Sequence, residues 1–364
     1  MLRDSSGIEI VENTVAAETA AEVWTLAQPA RVVIGASDGG PAHQLFRVGG
    51  AVRLADGRIA VLNSGSFELR IFGATGEHVQ TAGGRGEGPG EFARPNPLVR
   101  LSGDSLGVWD ARLLRFTVFA PDGSFARVAR LERAVLNPEL VGVLAGNHIM
   151  LSDFRLDVPD RGFATSSATF VRYTGDGEFA DSIGTFPWME IGIIGDPAQG
   201  RAGRRIFAPR THAAALGTRF WVGTAVESSI GEYDVDGGLR RIIRWSGDDR
   251  TVEPSHVARH LEARCADASP ELCSQFHELP VMERFPAHET LVADTAGNLW
   301  VQSFWRPAYG EEVPWRVFDG DGRLIARILL PAAVRPLDIG EDWLVGLRTD
   351  ELGVERVLVQ GIVK

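Results

Sequence analysis

Lysine is all but missing from this 364-residue chain: Lys364 is the only one, so arginine supplies 36 of the 37 basic residues. A bias that runs through the whole sequence reads as overall composition rather than as a local binding device. Basic residues are themselves outnumbered by 48 acidic ones, for a net charge of −11. That balance excludes a nucleic-acid surface, which works by neutralising phosphates with lysine and arginine. Also missing is any run near the roughly 18 apolar residues a membrane helix needs, so no transmembrane segment is expected. No nucleophile elbow, phosphate loop or arguable pair of glycosidase carboxylates occurs. Gly84 to Gly90, reading GRGEGPG, follows a strand pattern but runs into Phe92-Ala93-Arg94-Pro95 and another strand, whereas a dinucleotide loop opens a helix.

What the chain does have is glycine, 42 residues, and proline, 19, in a pattern that repeats. Sliding Gly83 to Gly123 back by 47 positions lays Val99-Arg100-Leu101 on Val52-Arg53-Leu54, Asp110 on Asn63, Phe119 on Phe72 and Gly123 on Gly76. Self-similarity at about 40 to 50 residues, with several strands per unit, is the mark of a β-propeller. An aromatic residue four places before a glycine marks the turn from third to fourth strand: Phe72/Gly76, Phe119/Gly123, Tyr173/Gly177, Tyr233/Gly237 and Phe318/Gly322. Asp122, Asp176, Asp236 and Asp321 precede four of these glycines, and Asp-Gly between extended runs signals a hairpin because glycine tolerates positive φ. Six short apolar second strands follow the same beat, at 58–63, 105–110, 148–153, 219–224, 298–303 and 343–348.

The sixth unit begins at Val334 and supplies three strands before Lys364. Arg31 to Gly35 followed by 36–46 resembles the fourth strand and exit loop at 79–92, so the N-terminal segment is expected to complete the last blade. Such closure removes an open sheet edge. Ile8 to Glu12 and Val23 to Leu26 either join this region or lie outside it. The expected fold is all-β, a six-bladed β-propeller, and six four-stranded units use nearly the whole length, which makes 1–364 a single domain.

VWDARLLRFTVFAPDGSF at 108–125 and GGRGEGPGEFARPN at 83–96 resemble the NHL-repeat pattern, and Val292 to Val301 matches that family's hairpin between first and second strands. With its Asp4-Ser5-Ser6-Gly7-Ile8 opening, the whole chain resembles bacterial six-bladed propeller proteins that are mostly uncharacterised. Units one, two and five fit the motif; three, four and six depart from it. The resemblance implies an export signal or lipid anchor ahead of this opening, hence a periplasmic or extracellular location. MLRDSSGIEIVENT has a basic start but no apolar signal core, so either that segment precedes these residues or the chain stays inside.

One segment does not read as β. Glu253 to Cys265 places Val257 and Leu261 four apart, and Ser269-Pro270-Glu271 reads as an N-cap followed by proline at the first helical position. A helical hairpin is therefore expected between units four and five, at about 247–287. Cys265 and Cys273 flank its turn. They either pair, which contributes roughly 2.5 kcal/mol in the chain-entropy model, or stand as two thiols; pairing is the candidate. His256 and His260 are also four apart, but HVARH lacks the metalloprotease glutamate and a third ligand, so no metal is assigned.

In a four-stranded blade, first-to-second and third-to-fourth turns share one face, while second-to-third loops and interblade links share the other. The first face carries tight turns such as Asp56-Gly57 and Ala296-Gly297; the second carries every insertion, at 154–167, 187–210, 247–287 and 304–313. Long loops on one side of a rigid scaffold are where binding usually lives. The second strands end toward that face with Asn63, Asp110, Asp153, Thr224, Ser303 and Arg348. These ends either converge on a ligand or hard cation, calcium being the cofactor weighed, or tie down their own loops, as Asp110 with Arg115 suggests. The 187–210 link adds Arg201, Arg204, Arg205 and Arg210, and Trp305-Arg306 begins another loop. Arginine forks beside aromatics hold carboxylate or phosphate, unless Glu190 and Asp196 take them first.

The reading is a binding module that recognises a protein or a small anionic ligand on the long-loop face, with Asn63, Asp110, Asp153, Arg205, Arg210 and Trp305 as candidate contacts and no catalytic residue assigned. The alternative is a propeller enzyme of the gluconolactonase or lyase kind with a metal in the central channel, since fold alone does not decide function.

Overall fold

The computed structural model of the protein describes residues 2–5, 7–36, 40–133, 135–194, 201–305 and 310–364. Blade 1 is an antiparallel sheet of Val48–Arg53, Ile59–Asn63, Glu68–Phe72 and His78–Gly83, taken from the inside outward. Blade 2 repeats it with Pro95–Arg100, Leu106–Asp110, Arg115–Phe119 and Phe125–Arg130. Blade 3 comprises Pro138–Leu144, His148–Phe154, Phe163–Tyr173 and Phe179–Ile194, the last two far longer than their counterparts. Blade 4 comprises His212–Gly217, Arg219–Gly223, Ser229–Asp234 and Leu239–Trp245, and blade 5 Leu291–Ala293, Leu299–Gln302, Glu312–Phe318 and Leu324–Pro331. Blade 6 has three strands from its own unit, Val334–Ile339, Trp343–Thr349 and Glu355–Val363. The chain is a six-bladed β-propeller.

Burial explains the sequence pattern. Ile59–Asn63 and Leu106–Asp110 are buried at every position because each is covered on both faces by neighbouring blades, so they read as apolar runs. The outer strand His78–Gly83 alternates between half-buried and exposed instead. Between blades 1 and 2, Val52, Leu62 and Ile71 pack with Leu98, Val108 and Phe119 in one continuous core. The marker glycines Gly76, Gly123, Gly177, Gly237 and Gly322 all have positive φ, between 77° and 97°, as the third-to-fourth turn demands.

Inner strands of blades 3 and 4 come close enough to hydrogen-bond in parallel, with Gly142 opposite Ala215. A Cβ on Gly142 would sit 2.9 Å from the Ala215 carbonyl oxygen, so this approach requires glycine. At the short-turn end of the channel, Arg100 of blade 2 donates to the Arg53 carbonyl and to Asp338 of blade 6, both at 2.7 Å. The Arg53 amide donates to the same carboxylate at 2.9 Å. Burial pushes the Asp338 carboxyl above its ordinary range, and Arg100 opposes that shift.

The N-terminal segment laces three blades together. Ile8–Asn13 runs parallel to the outer strand of blade 4, and Glu22–Leu26 runs parallel to that of blade 5. Val32–Ile34 then pairs antiparallel with Glu355–Val363 as the fourth strand of blade 6. Closure of the last blade thus falls where the sequence placed it, while the two earlier strands, whose position the sequence left open, extend the lacing backwards. Side chains fasten this strap: Asn13 donates to the Gly322 carbonyl at 3.0 Å and accepts from the Leu324 amide at 2.8 Å. Glu18, on helix α1 (Val15–Ala20), pairs with Arg316 of blade 5 at 3.0 Å.

Between blades 4 and 5 stand helices α2 (Pro254–Cys265) and α3 (Pro270–His277). Glu253 caps α2 reciprocally with His256, whose Nδ1 accepts the Glu253 amide at 3.0 Å. Ser269 caps α3 by accepting the Leu272 amide at 3.3 Å. Cys265 and Cys273 are joined in a disulfide with their α-carbons 5.1 Å apart.

Candidate functional site

On the long-loop face, three of the sequence candidates do one job. Asn63 accepts the Phe46 amide at 2.7 Å, and Asp110 accepts the amides of Ala93 and Arg94 at 2.7 and 2.9 Å. Asp153 accepts those of Leu136 and Asn137 at 2.8 and 2.9 Å. Each therefore anchors the link that enters its own blade. Asp110 also takes the amides of Arg112 and Leu113, both at 3.0 Å, and is wholly buried. Arginines complete the anchor: Arg115 donates to the carbonyls of Glu87, Gly88 and Glu91, and Arg70 to those of Ala42 and Gln44. Backbone amides thus occupy oxygens that a ligand ring would need. Ser303 accepts from Arg316 at 3.2 Å, and Arg348 is exposed.

The arginine candidates are engaged as well. Arg205 forms a two-pronged pair with Glu190 and lies over the Phe163 ring at 5.3 Å; that hydrogen bonding holds its pKa above the usual arginine value. Arg210 reaches both carboxylate oxygens of Glu139 at 2.8 and 2.7 Å and stacks on Trp188 at 5.2 Å. Trp305 packs against the core between blades 5 and 6. Asp196 and Arg306 lie outside the described residues, and of Arg201 only the backbone is described. The six candidates accordingly do not form one pocket. Arg205 lines a cavity of about 380 Å³ between the 201–208 link and the two helices, while Asp153 lines another of about 340 Å³ on blade 3.

The helices cap this face. The cluster beneath them joins Ile194 of blade 3, Ile206 and Phe207 of the link, and Phe276 and Leu279 of the hairpin. Phe207 has φ +64°, a region bulky residues avoid, and is held there by ring contacts to His260, Phe285 and Phe304 at 5.0, 4.9 and 5.9 Å. Beneath the cap, where blades 4 and 5 meet, the rings of His212 and His288 stand 6.0 Å apart. Burial lowers His212 to about 3, with His288 adding repulsion, and burial lowers His288 to about 4. Both are neutral imidazoles near neutral pH.

Sequence reasoning passed over the exposed apolar side chains of this face. Phe46 and Leu136 lie in links, Leu156, Val158, Val226 and Leu352 in second-to-third loops, and Leu272 and Val281 in the cap. Leu352 is 90% exposed, Leu136 64%, Phe46 58% and Val226 55%. Among the described residues, the other large apolar side chains this exposed sit on the strap, on the fourth strands of blades or, for Val363, at the end of the third strand of blade 6, and none is in a short turn. Loop length pointed to the face, but exposure within a loop has no period to betray it.

Residues 44–136, which span blades 1 and 2 and the link beyond, match the model of a family described as 6-bladed beta-propeller. A candidate exported protein of Bacteroides fragilis shares the fold at 13% identity, covering 97% of this chain and 99% of its own, with a TM-score of 0.51. A DUF4221 family member from Bacteroides vulgatus does so at 10% identity, covering 94% of this chain and 99% of its own, with a TM-score of 0.53. No curated protein matches the chain in sequence. No helix among the described residues is long and apolar enough to cross a membrane.

Proposed function

We propose that this propeller is a binding module, working outside the cytoplasm, whose long-loop face docks a protein partner. The observation that carries the reading is the one-sided distribution of exposed apolar side chains. Exposed apolar groups scattered singly are ordinary, but among the described residues eight gathered on the connections of one face, against none in the turns of the other, favour an interaction surface. A protein partner fits better than a small anion, because Arg205 and Arg210 already hold Glu190 and Glu139. The location follows from the likeness to a candidate exported protein and is part of the proposal.

The enzyme alternative needs a ring of free carboxylates and amides around the channel. Asn63, Asp110 and Asp153, the contiguous members of that ring, serve their own links instead, so no specific feature favours it. The test is a variant carrying Leu136→Asp, Val226→Asp and Leu352→Asp. These positions are exposed, so the melting temperature should stay within about 1 °C of the parent. Complexes that the parent forms in its host should be lost, and complexes that survive all three changes would sink the proposal.

A further inference from the structure

We infer that the tip of the α2–α3 hairpin is a redox-gated site for a thiophilic divalent cation of the Zn²⁺ type, made by Cys265, Cys273 and His277 once the disulfide is reduced. Cys265 closes α2, while Cys273 and His277 are four apart on α3 and so share one of its faces. Their donor atoms, two sulfurs and an imidazole nitrogen, all lie within 4.8 Å of one another. Tetrahedral zinc, with bonds of about 2.3 Å to sulfur and 2.0–2.1 Å to nitrogen, spaces its ligands at roughly 3.3–3.8 Å. Small rotations of three side chains bridge that difference. Among the described residues this is the one grouping of three or more such donors so placed.

Two thiolates and an imidazole select zinc or cobalt(II) over calcium or magnesium, which prefer oxygen. Both cysteines are half-buried and His277 is exposed, so the cation approaches from solvent and keeps a water in its fourth position. The His277 side chain makes no hydrogen bond to another described residue, which leaves its ring free to turn toward the sulfurs. The disulfide is the gate, because a sulfur bonded to sulfur is no thiolate. A dithiol reductant opens it: two electrons and two protons pass to the protein, the S–S bond becomes two thiols, and the reductant closes into its own disulfide. On binding, each thiol releases its proton to solvent, so uptake weakens as pH falls. This inference is independent of the docking surface.

The test uses the full chain and two probes, Co²⁺ and Zn²⁺. After reduction and removal of the reductant, one equivalent of Co²⁺ should give thiolate-to-cobalt charge-transfer absorption that Zn²⁺ abolishes. The oxidised chain should give none. His277→Ala keeps both thiols and the disulfide, so it separates ligation from folding; it should weaken Co²⁺ binding at least about tenfold, the lower end of what removing even an outer-shell partner costs. Cys273→Ser should remove most of the charge-transfer absorption. Zn²⁺ should also raise the melting temperature of the reduced chain and leave that of the oxidised chain unchanged. The inference is overturned if the reduced chain shows no charge-transfer absorption, if the oxidised chain binds equally, or if His277→Ala binds like the parent.

Discussion

Replacing Trp24 by alanine removes the largest buried side chain that the strap contributes. Trp24 is 4% exposed and packs 5.9 Å from the Trp300 ring, in the core that joins blade 5 to Leu358 and Ile362 of blade 6. Its indole nitrogen donates to Glu22 at 2.7 Å, and the Lys364 ammonium lies 4.9 Å over the ring. Truncating a buried tryptophan costs about 3–5 kcal/mol, the lost transfer energy plus the cavity left behind. At about 2.1 cal/mol/K per residue, unfolding 364 residues has an entropy near 0.76 kcal/mol/K, so the expected fall in melting temperature is about 4–7 °C. Val23 is the control: it is next in sequence but 66% exposed, and Val23→Ala should cost less than about 0.5 kcal/mol. Differential scanning calorimetry of both variants decides the matter. Equal melting temperatures for Trp24→Ala and Val23→Ala would refute the strap's place in the core.

Three further outcomes are expected. Deleting residues 1–36 uncovers the edge of Glu355–Val363, including the buried Val357 and Val359, and should produce aggregation visible by light scattering; a soluble chain melting like the parent would count against closure. His212 and His288 have folded-state pKa values of about 3 and about 4, below the ordinary value near 6.5, so burial favours their neutral forms. Their contribution is complete above pH 6.5 and is lost as pH falls toward 4 and then 3. His288→Gln should therefore flatten the slope of stability against pH in that window, and an unchanged slope would contradict the assignment. Asp110→Ala strands four backbone amides and should cost at least about 3 kcal/mol in urea unfolding, whereas a residue kept for a ligand would cost little.

Much of the architecture was legible because blades repeat a physical requirement. The turn from third to fourth strand needs positive φ, so glycine recurs at Gly76, Gly123 and Gly177; second strands sandwiched between blades need apolar side chains throughout, so they recur as short runs. The strap was half legible. Arg31 to Gly35 resembles the fourth strand it replaces, but Ile8–Asn13 and Glu22–Leu26 add outer strands from outside the units they join, so no repeat marks them. The helical pair announced itself through Ser269 and Pro270. The candidate site was less legible, because the same polar residue serves a ligand or its own loop according to where the neighbouring amides point. Asp110 and Asp153 turn inward to those amides. Arg210 meets Glu139, which lies 71 residues away and which no local pattern connects to it.

The docking face is tested most directly by placing a photo-crosslinking residue, one position at a time, at Leu136, Val226 and Leu352 on the long-loop side and at Thr75, Asp176 and Asp321 on the short-turn side, then irradiating the protein in its host. All six positions are exposed, so reach is equal and only the partner's seat differs. One discrete adduct, shared by the three long-loop positions and missing from the three short-turn positions, is the predicted result. Adducts confined to Thr75, Asp176 and Asp321, or spread evenly over both faces, would contradict the account.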